Sequence, residues 1–226
     1  MLKLYDYVLS GSAYKARLMM AILGVPYEAV PVDFYPGNEH RQPDFLDLNP
    51  AGTLPVLVDG DLVLTDSAAI LTYLAGKHDP SGTWLPAGDP ARLAQVVRWL
   101  AFSQSLTATA GAARLHDMIN RPLDVDAARA GAHRAFRELE RHITACEFEG
   151  GSFLVGDQPT IADIACFPYV ALSPDGGIAH DDYPAIRRWL DAVKRLPGFI
   201  EMPGIHALHE VRETEPGVVA AVAQAG

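Results

Sequence analysis

Three short stretches of this 226-residue sequence carry side chains that could do chemistry together. The first is Ser10-Gly11-Ser12, two hydroxyls between a strand-like and a helix-like run, where an O–H can donate to an anion and stabilise it. A turn with an ordinary N-cap accounts for the same residues. The second is Leu54-Pro55, set directly against apolar Val56–Val58. Proline cannot donate to a sheet ladder, so it must sit at a strand's first residue, an edge or a bulge. A cis Leu54–Pro55 bond would reverse the chain and leave the Leu54 N–H and C=O facing outward, free to pair with an extended peptide; a trans bond on an edge strand is the commoner solution. The third is Thr65-Asp66-Ser67, three capping-type residues where one would serve. Free N–H groups at a helix start, with the Ser67 hydroxyl, would take a carboxylate, and Asp66 would take an ammonium; plain capping explains them equally well. With the Leu54 backbone they would form a ledge that reads a peptide ending in a free α-amino acid.

The elements that must position these groups follow from periodicity. Leu2–Val8 reads as a strand, and Ala13–Leu23 as a helix on the spacing of Ala16, Met19, Met20 and Leu23, with Gly24 as its stop. Tyr27–Val32 reads as a second strand, which implies a parallel pair with a right-handed crossover. A polar stretch, Asp33–Asp44, leads through Phe45–Leu48 to two short strands, Val56–Val58 and Leu62–Leu64. Asp59-Gly60 between them predicts a type I′ hairpin. Ala68–Gly76 is helical. The order β-α-β-α-β-β-α is that of a thioredoxin-like domain over 1–78. Residues 79–90, rich in Pro, Gly and Asp, read as a linker. From 91 to about 205 every segment reads as helix: Ala91–Met118, Asp124–Phe148 with Arg137, Glu138, Glu140 and Arg141 toward solvent, Ile161–Leu172 behind Thr160-Ile161-Ala162-Asp163, and Tyr183–Arg195. The fold class is thus an α/β thioredoxin-like N-terminal domain plus an all-α C-terminal domain. Residues 206–226 read as a tail with a loose end.

Composition narrows the function. The chain carries 28 acidic against 18 basic residues, a formal charge of −10, which argues against a nucleic-acid partner. No apolar run approaches the length of a membrane helix, and Met1 leads straight into a strand, so the expected address is the cytoplasm with no membrane partner. Cys146 and Cys166 fit free thiols better than a disulfide. His206 and His209 lack further ligands, so no metal is expected.

Gly52-Thr53-Leu54-Pro55-Val56-Leu57 and Thr65-Asp66-Ser67-Ala68-Ala69-Ile70-Leu71 resemble, in order and spacing, the cis-proline loop and the [Glu/Asp]-Ser-x-x-Ile-Leu helix start of the cytosolic glutathione transferases, and the match covers roughly residues 1–205. The resemblance implies glutathione as co-substrate, its thiol held as a thiolate that attacks a small hydrophobic electrophile in a detoxification reaction, and a homodimer. It implies Ser10 as the thiolate donor, by alignment with serine-type (theta- and zeta-like) members. Ser12, where nu-like members have a thiol-contacting asparagine, is the second choice. Asp6 stands where alpha, mu and pi classes carry tyrosine, and neither Ser12 nor Ala13 is cysteine, which speaks against a mixed disulfide. Glutathione is expected on His40, Arg41, Thr53, Leu54, Pro55, Asp66 and Ser67, and the electrophile against Phe102, Leu106, Thr107 and Arg114. The same thiolate could instead serve an isomerase, dehalogenase or peroxidase. Ser10, Tyr14, Lys15 and Arg17 loosely match the zeta isomerase signature, although Gly11 and Ser12 replace its second serine and its cysteine. A non-catalytic binding protein on this fold is the remaining alternative. Ser12-x-x-Lys15 spells a penicillin-enzyme motif without its companions.

Overall fold

In β1 (Leu2–Asp6) the side chains of Leu2, Leu4 and Asp6 turn inward while Lys3 faces out, the two-residue period of a half-buried strand. The structure, a computed structural model, describes residues 1–208. α1 (Gly11–Ile22) returns the chain to β2 (Tyr27–Pro31), which pairs parallel to β1 with Leu4 opposite Ala29. After the short α2 (Pro43–Leu48), β3 (Val56–Asp59) joins the other side of β1 antiparallel, and β4 (Leu62–Leu64) forms the edge, giving the order β2-β1-β3-β4. α3 (Ser67–His78) lies against α1. Phe45 of α2 packs on Val32 and Val56 in a small cluster of its own. This is the expected thioredoxin-like arrangement.

The hairpin corrects one expectation. Asp59 pairs with Leu62, so the two turn residues are Gly60 and Asp61, and of these only Gly60 has a positive φ, +59°. One positive φ at the first central position is the type II′ requirement, not I′.

The second domain is helical: α4 (Pro90–Leu106), a π-helical turn (Thr107–Gly111), α5 (Ala112–Ile119), α6 (Val125–Phe148), α7 (Ile161–Ala171) and α8 (Pro184–Lys194). α7 packs against α1, α3 and α4, and one apolar cluster runs from Leu4 and Tyr14 through Ile70 and Trp99 to Phe167 and Trp189. The two domains therefore share a core. Glu140, expected toward solvent, instead accepts the Ala185 and Ile186 N–H groups at 2.9 and 2.8 Å. Those donors have no partner inside the first turn of α8, and a carboxylate there also meets the positive end of the helix dipole. Cys146 and Cys166 are free thiols. His209 and the rest of the expected tail to residue 226 lie outside the described residues. No helix among those described is long and apolar enough to cross a membrane.

Asp163 is the buried hinge pin of the helical domain. Its carboxylate accepts from the Leu154 N–H, the Thr160 N–H and the Trp189 indole, each at 2.9 Å. Deleting it strands three buried donors, and each costs on the order of 1–3 kcal/mol. Asp163→Ala is expected to lower unfolding free energy in urea by roughly 3 kcal/mol or more. A loss below about 0.5 kcal/mol, the size of an ordinary surface change, would contradict this.

Candidate functional site

The turn after β1 has three carbonyls that neither sheet nor helix ladder satisfies, and each finds a partner. The Tyr7 carbonyl accepts from Ser10 N–H at 2.8 Å, while the Ser10 carbonyl opens the α1 ladder with Tyr14 N–H at 2.9 Å. Val8 and Leu9 are served by side chains: Arg17 of α1 donates to the Val8 carbonyl at 3.0 Å, and Arg114 of α5 to the Leu9 carbonyl at 2.8 Å. Both guanidiniums are fixed in turn. Arg17 pairs with buried Asp6 at 2.6 Å, and buried Arg114 with Asp175 at 3.1 Å. The turn is thus held from both domains.

Ser10 caps α1, its Oγ accepting the Ala13 N–H at 3.1 Å. Among the described residues no acceptor takes its own O–H, so the proton is available to a ligand in the adjacent cleft. Accepting one hydrogen bond also polarises that O–H as a donor. Capping and anion binding, the two readings left open at this serine, are therefore compatible. Ser12 differs: its Oγ lies 3.0 Å from the Tyr169 hydroxyl, with either group able to donate. Tyr169 of α7 was not anticipated. Its ring sits between two glycines, and a Cβ on Gly11 or Gly111 would come within 2.9 or 2.8 Å of it. Beneath the ring lies Lys15, fully buried, its Nζ 5.2 Å from the ring centroid and without a hydrogen-bond partner among the described residues. Burial pushes the Lys15 ammonium down to about 8, against the pull of Cys166 and Asp66.

Facing this turn is the loop before β3. The Leu54–Pro55 bond is cis, and no described group bonds the Leu54 N–H or carbonyl. Buried Asn49 braces the loop, donating to the Thr53 carbonyl at 2.8 Å and accepting from Ala51 N–H at 3.1 Å. Gly52, at φ +57°, has no room for a Cβ against the His40 carbonyl and Arg41. Thr53, Leu54 and Arg41 line the cleft; Pro55 is buried behind them. His40 does not line it, because its ring stacks on Phe34 at 4.1 Å between centroids. Burial, then the charges of Arg41 and Arg121, holds its imidazole below the ordinary histidine value. Asp66 caps α3 through Ala68 and Ala69 N–H at 2.8 and 3.1 Å, and Ser67 is the first helical residue. Neither reaches the cleft, which ends at Thr53–Leu54.

The cleft lies between the domains, about 210 Å³, with Thr107, Gly111, Arg114, Leu115, Met118 and Ile119 as its helical wall. Thr107 and Arg114 stand there as expected. Phe102 and Leu106 do not: Phe102 packs edge-on against Trp99 at 4.9 Å and Leu106 is fully buried in the core. Thr107, Gly111, Arg114, Leu115 and Met118 recur at the three- and four-residue steps of one helix face, and Phe102 and Leu106, five and one residues before Thr107, fall off that face. Arg114 is held by Leu9 and Asp175, so it works as a brace as well as a lining residue. Tyr7, Phe34, Tyr35 and Arg121 complete the surround and were not anticipated from sequence.

Residues 1–76 match the family model described as Glutathione S-transferase, N-terminal domain, and residues 122–192 the one described as Glutathione S-transferase, C-terminal domain. Glutathione S-transferase 3 of Zea mays is 34% identical over 206 residues, covering 88% of this chain and 91% of its own. A protein named Maleylacetoacetate isomerase from Pseudomonas aeruginosa is 31% identical over 209 residues, covering 88% and 93%. The crystal structure of a glutathione transferase homolog from Lodderomyces elongisporus, with two glutathiones per subunit, superposes with a TM-score of 0.76 at 26% identity, covering 87% and 94%.

Lys15 generates a prediction on stability. Its folded value near 8 lies below the ordinary 10.5, so between those pH values the unfolded chain binds more protons and wild-type stability rises with pH. Lys15→Met removes the buried ammonium. It is expected to be more stable than wild type at pH 7, by up to about 3 kcal/mol, with the gap narrowing toward pH 10.5. Urea unfolding at pH 7 and 10 measures this; a variant destabilised equally at both pH values would show the ammonium is not the costly species.

Proposed function

The chain belongs to the glutathione S-transferase family, and on that premise we propose that it binds glutathione along the Leu54–Ser67 ledge and holds the sulfur as a thiolate on the Ser10 hydroxyl. The observation that carries this is Ser10 itself, a cleft-lining hydroxyl pinned as an N-cap with its proton unclaimed among the described residues. The thiolate is the nucleophile, so favouring it at neutral pH raises the reactive fraction. The thiol proton leaves to solvent, the sulfur forms a bond to the electrophilic carbon, and the leaving group departs with its electron pair. Leu54 offers one backbone N–H and one C=O to the peptide in the manner of an added strand. Asp66 keeps its second carboxylate oxygen for the ligand's ammonium, and Ser67 keeps an unused N–H for its carboxylate. Arg41 is the proposed contact for the glycine carboxylate, with His40 supporting it from behind. The glutathione held by the Lodderomyces homolog supports the choice of ligand.

The electrophile is proposed to lie on Thr107, Gly111, Leu115 and Met118, a wall of small and apolar side chains. A second reading uses the same thiolate for isomerisation, and the relative named Maleylacetoacetate isomerase supports it. A homodimer in the cytoplasm is part of the proposal; exposed Leu62 and Val63 on edge strand β4 and Val97 on α4 support the dimer.

Ultraviolet titration of bound glutathione tests the reading. Wild type should depress the thiol pKa by about one to two units, and Ser10→Ala should abolish the shift. Loss confined to Ser12→Ala would move the role to the Ser12–Tyr169 pair. A wild-type protein that binds glutathione without forming thiolate, or does not bind it, would be a binding protein on this fold.

A further inference from the structure

The cleft is basic in an acidic protein. The chain holds ten more acidic than basic residues, 28 against 18. Yet the cleft lining includes Arg41, Arg114 and Arg121 and not one Asp or Glu. Arg114 is neutralised by Asp175. Arg41 and Arg121 are not: among the described residues neither forms an ion pair, and the one hydrogen bond found between them is a long 3.5 Å contact from Arg41 to the Ala51 carbonyl. They come from different domains, Arg41 from the loop before α2 and Arg121 from the turn after α5, where Asn120 takes a left-handed φ of +54°. Both line the same cleft, one from each domain.

Two like charges in one cleft repel, and no carboxylate in the lining offsets them. A bound anion at each would. A planar guanidinium suits a carboxylate in particular, because its paired N–H groups match the two oxygens. The glycine carboxylate of glutathione is assigned to Arg41 on the first domain, which leaves Arg121, on the second, for an anion of the other substrate.

Resting on the transferase reading, we propose that the second substrate is an apolar electrophile bearing a carboxylate, which Arg121 binds where the turn after α5 lines the cleft. The apolar body lies on Leu115, Met118 and Ile119, and the carboxylate orients it so that its reactive carbon faces the sulfur. Arg121 is then a specificity residue.

The test compares two electrophiles of one reactive core, 4-chloro-3,5-dinitrobenzoate and neutral 1-chloro-2,4-dinitrobenzene, each corrected for its uncatalysed rate with glutathione. Wild type should prefer the benzoate in kcat/KM. Arg121→Gln should lower the benzoate-to-neutral ratio at least tenfold, and Arg121→Lys should restore part of it. The ratio should be unchanged when glutathione is replaced by its glycine ethyl ester. Equal loss on both electrophiles would overturn the proposal. So would an Arg121→Gln defect that appears as weaker glutathione binding and vanishes with the ester, since the anion would then be glutathione's own. If wild type conjugates neither electrophile and forms no thiolate, the transferase reading fails separately; binding of 3,5-dinitrobenzoate against 1,3-dinitrobenzene, with and without Arg121→Gln, still decides whether the anion site exists.

Discussion

Two guanidiniums reaching the backbone of one short turn set the conditions for everything else at the site. A strand must end before a helix can begin, and between β1 and α1 the carbonyls of Tyr7, Val8 and Leu9 have no ladder to receive them. Leaving such groups buried and unpaired costs as much as a lost hydrogen bond each. Arg17 answers one from the following helix, and Arg114 answers another from the other domain. The second of these is the consequential one. Because Arg114 is itself buried and tied to Asp175, the position of the Ser10 turn is referred to the helical wall across the cleft, and neither side of the cleft shifts without the other.

The shared core serves the same end. α7 touches both domains, its Tyr169 fills the gap that Gly11 and Gly111 leave, and its N-terminal Asp163 ties the loop before it to α8. This packing stabilises the relative placement of two surfaces, the loop before β3 and the helical wall across the cleft. Lys15 is the exception. A buried ammonium with no hydrogen-bond partner opposes folding, and its contact with the Tyr169 face offsets only part of that cost.

Local sequence marked Leu54-Pro55 and Asp66 as constrained positions, which the structure shows as a cis bond and a helix cap. Proline against a strand and three capping residues before an apolar helix are constraints of covalent geometry and of orphaned N–H groups, so they are readable without tertiary information. The fold class followed from periodicity for the same reason. The helical wall was half legible. Thr107 and Arg114 came from helical spacing, whereas Phe102 and Leu106 lie off that face among core side chains, and the residue types of this stretch do not distinguish a cleft-facing position from a core one. Tyr169 and Arg121 were invisible for a different reason: each reaches the cleft through the packing of one domain on another. Glu140 looked like one of several solvent-facing charges on α6, and only the arrival of α8 makes it a cap. Capping and ammonium binding were both open at Asp66, and in the structure it caps α3 through one carboxylate oxygen.

The central claim is that Arg114 acts on the sulfur only through the turn that carries Ser10. The measurement is a double-mutant cycle on the thiol pKa of bound glutathione, with Arg114→Ala, Ser10→Ala and the pair, each variant first checked for a cooperative unfolding transition. The account predicts that Arg114→Ala raises the pKa in the presence of Ser10 and adds nothing once Ser10 is gone. Additive shifts would contradict it, because Arg114 would then reach the thiolate with its own charge and the turn would not be the link between the two domains.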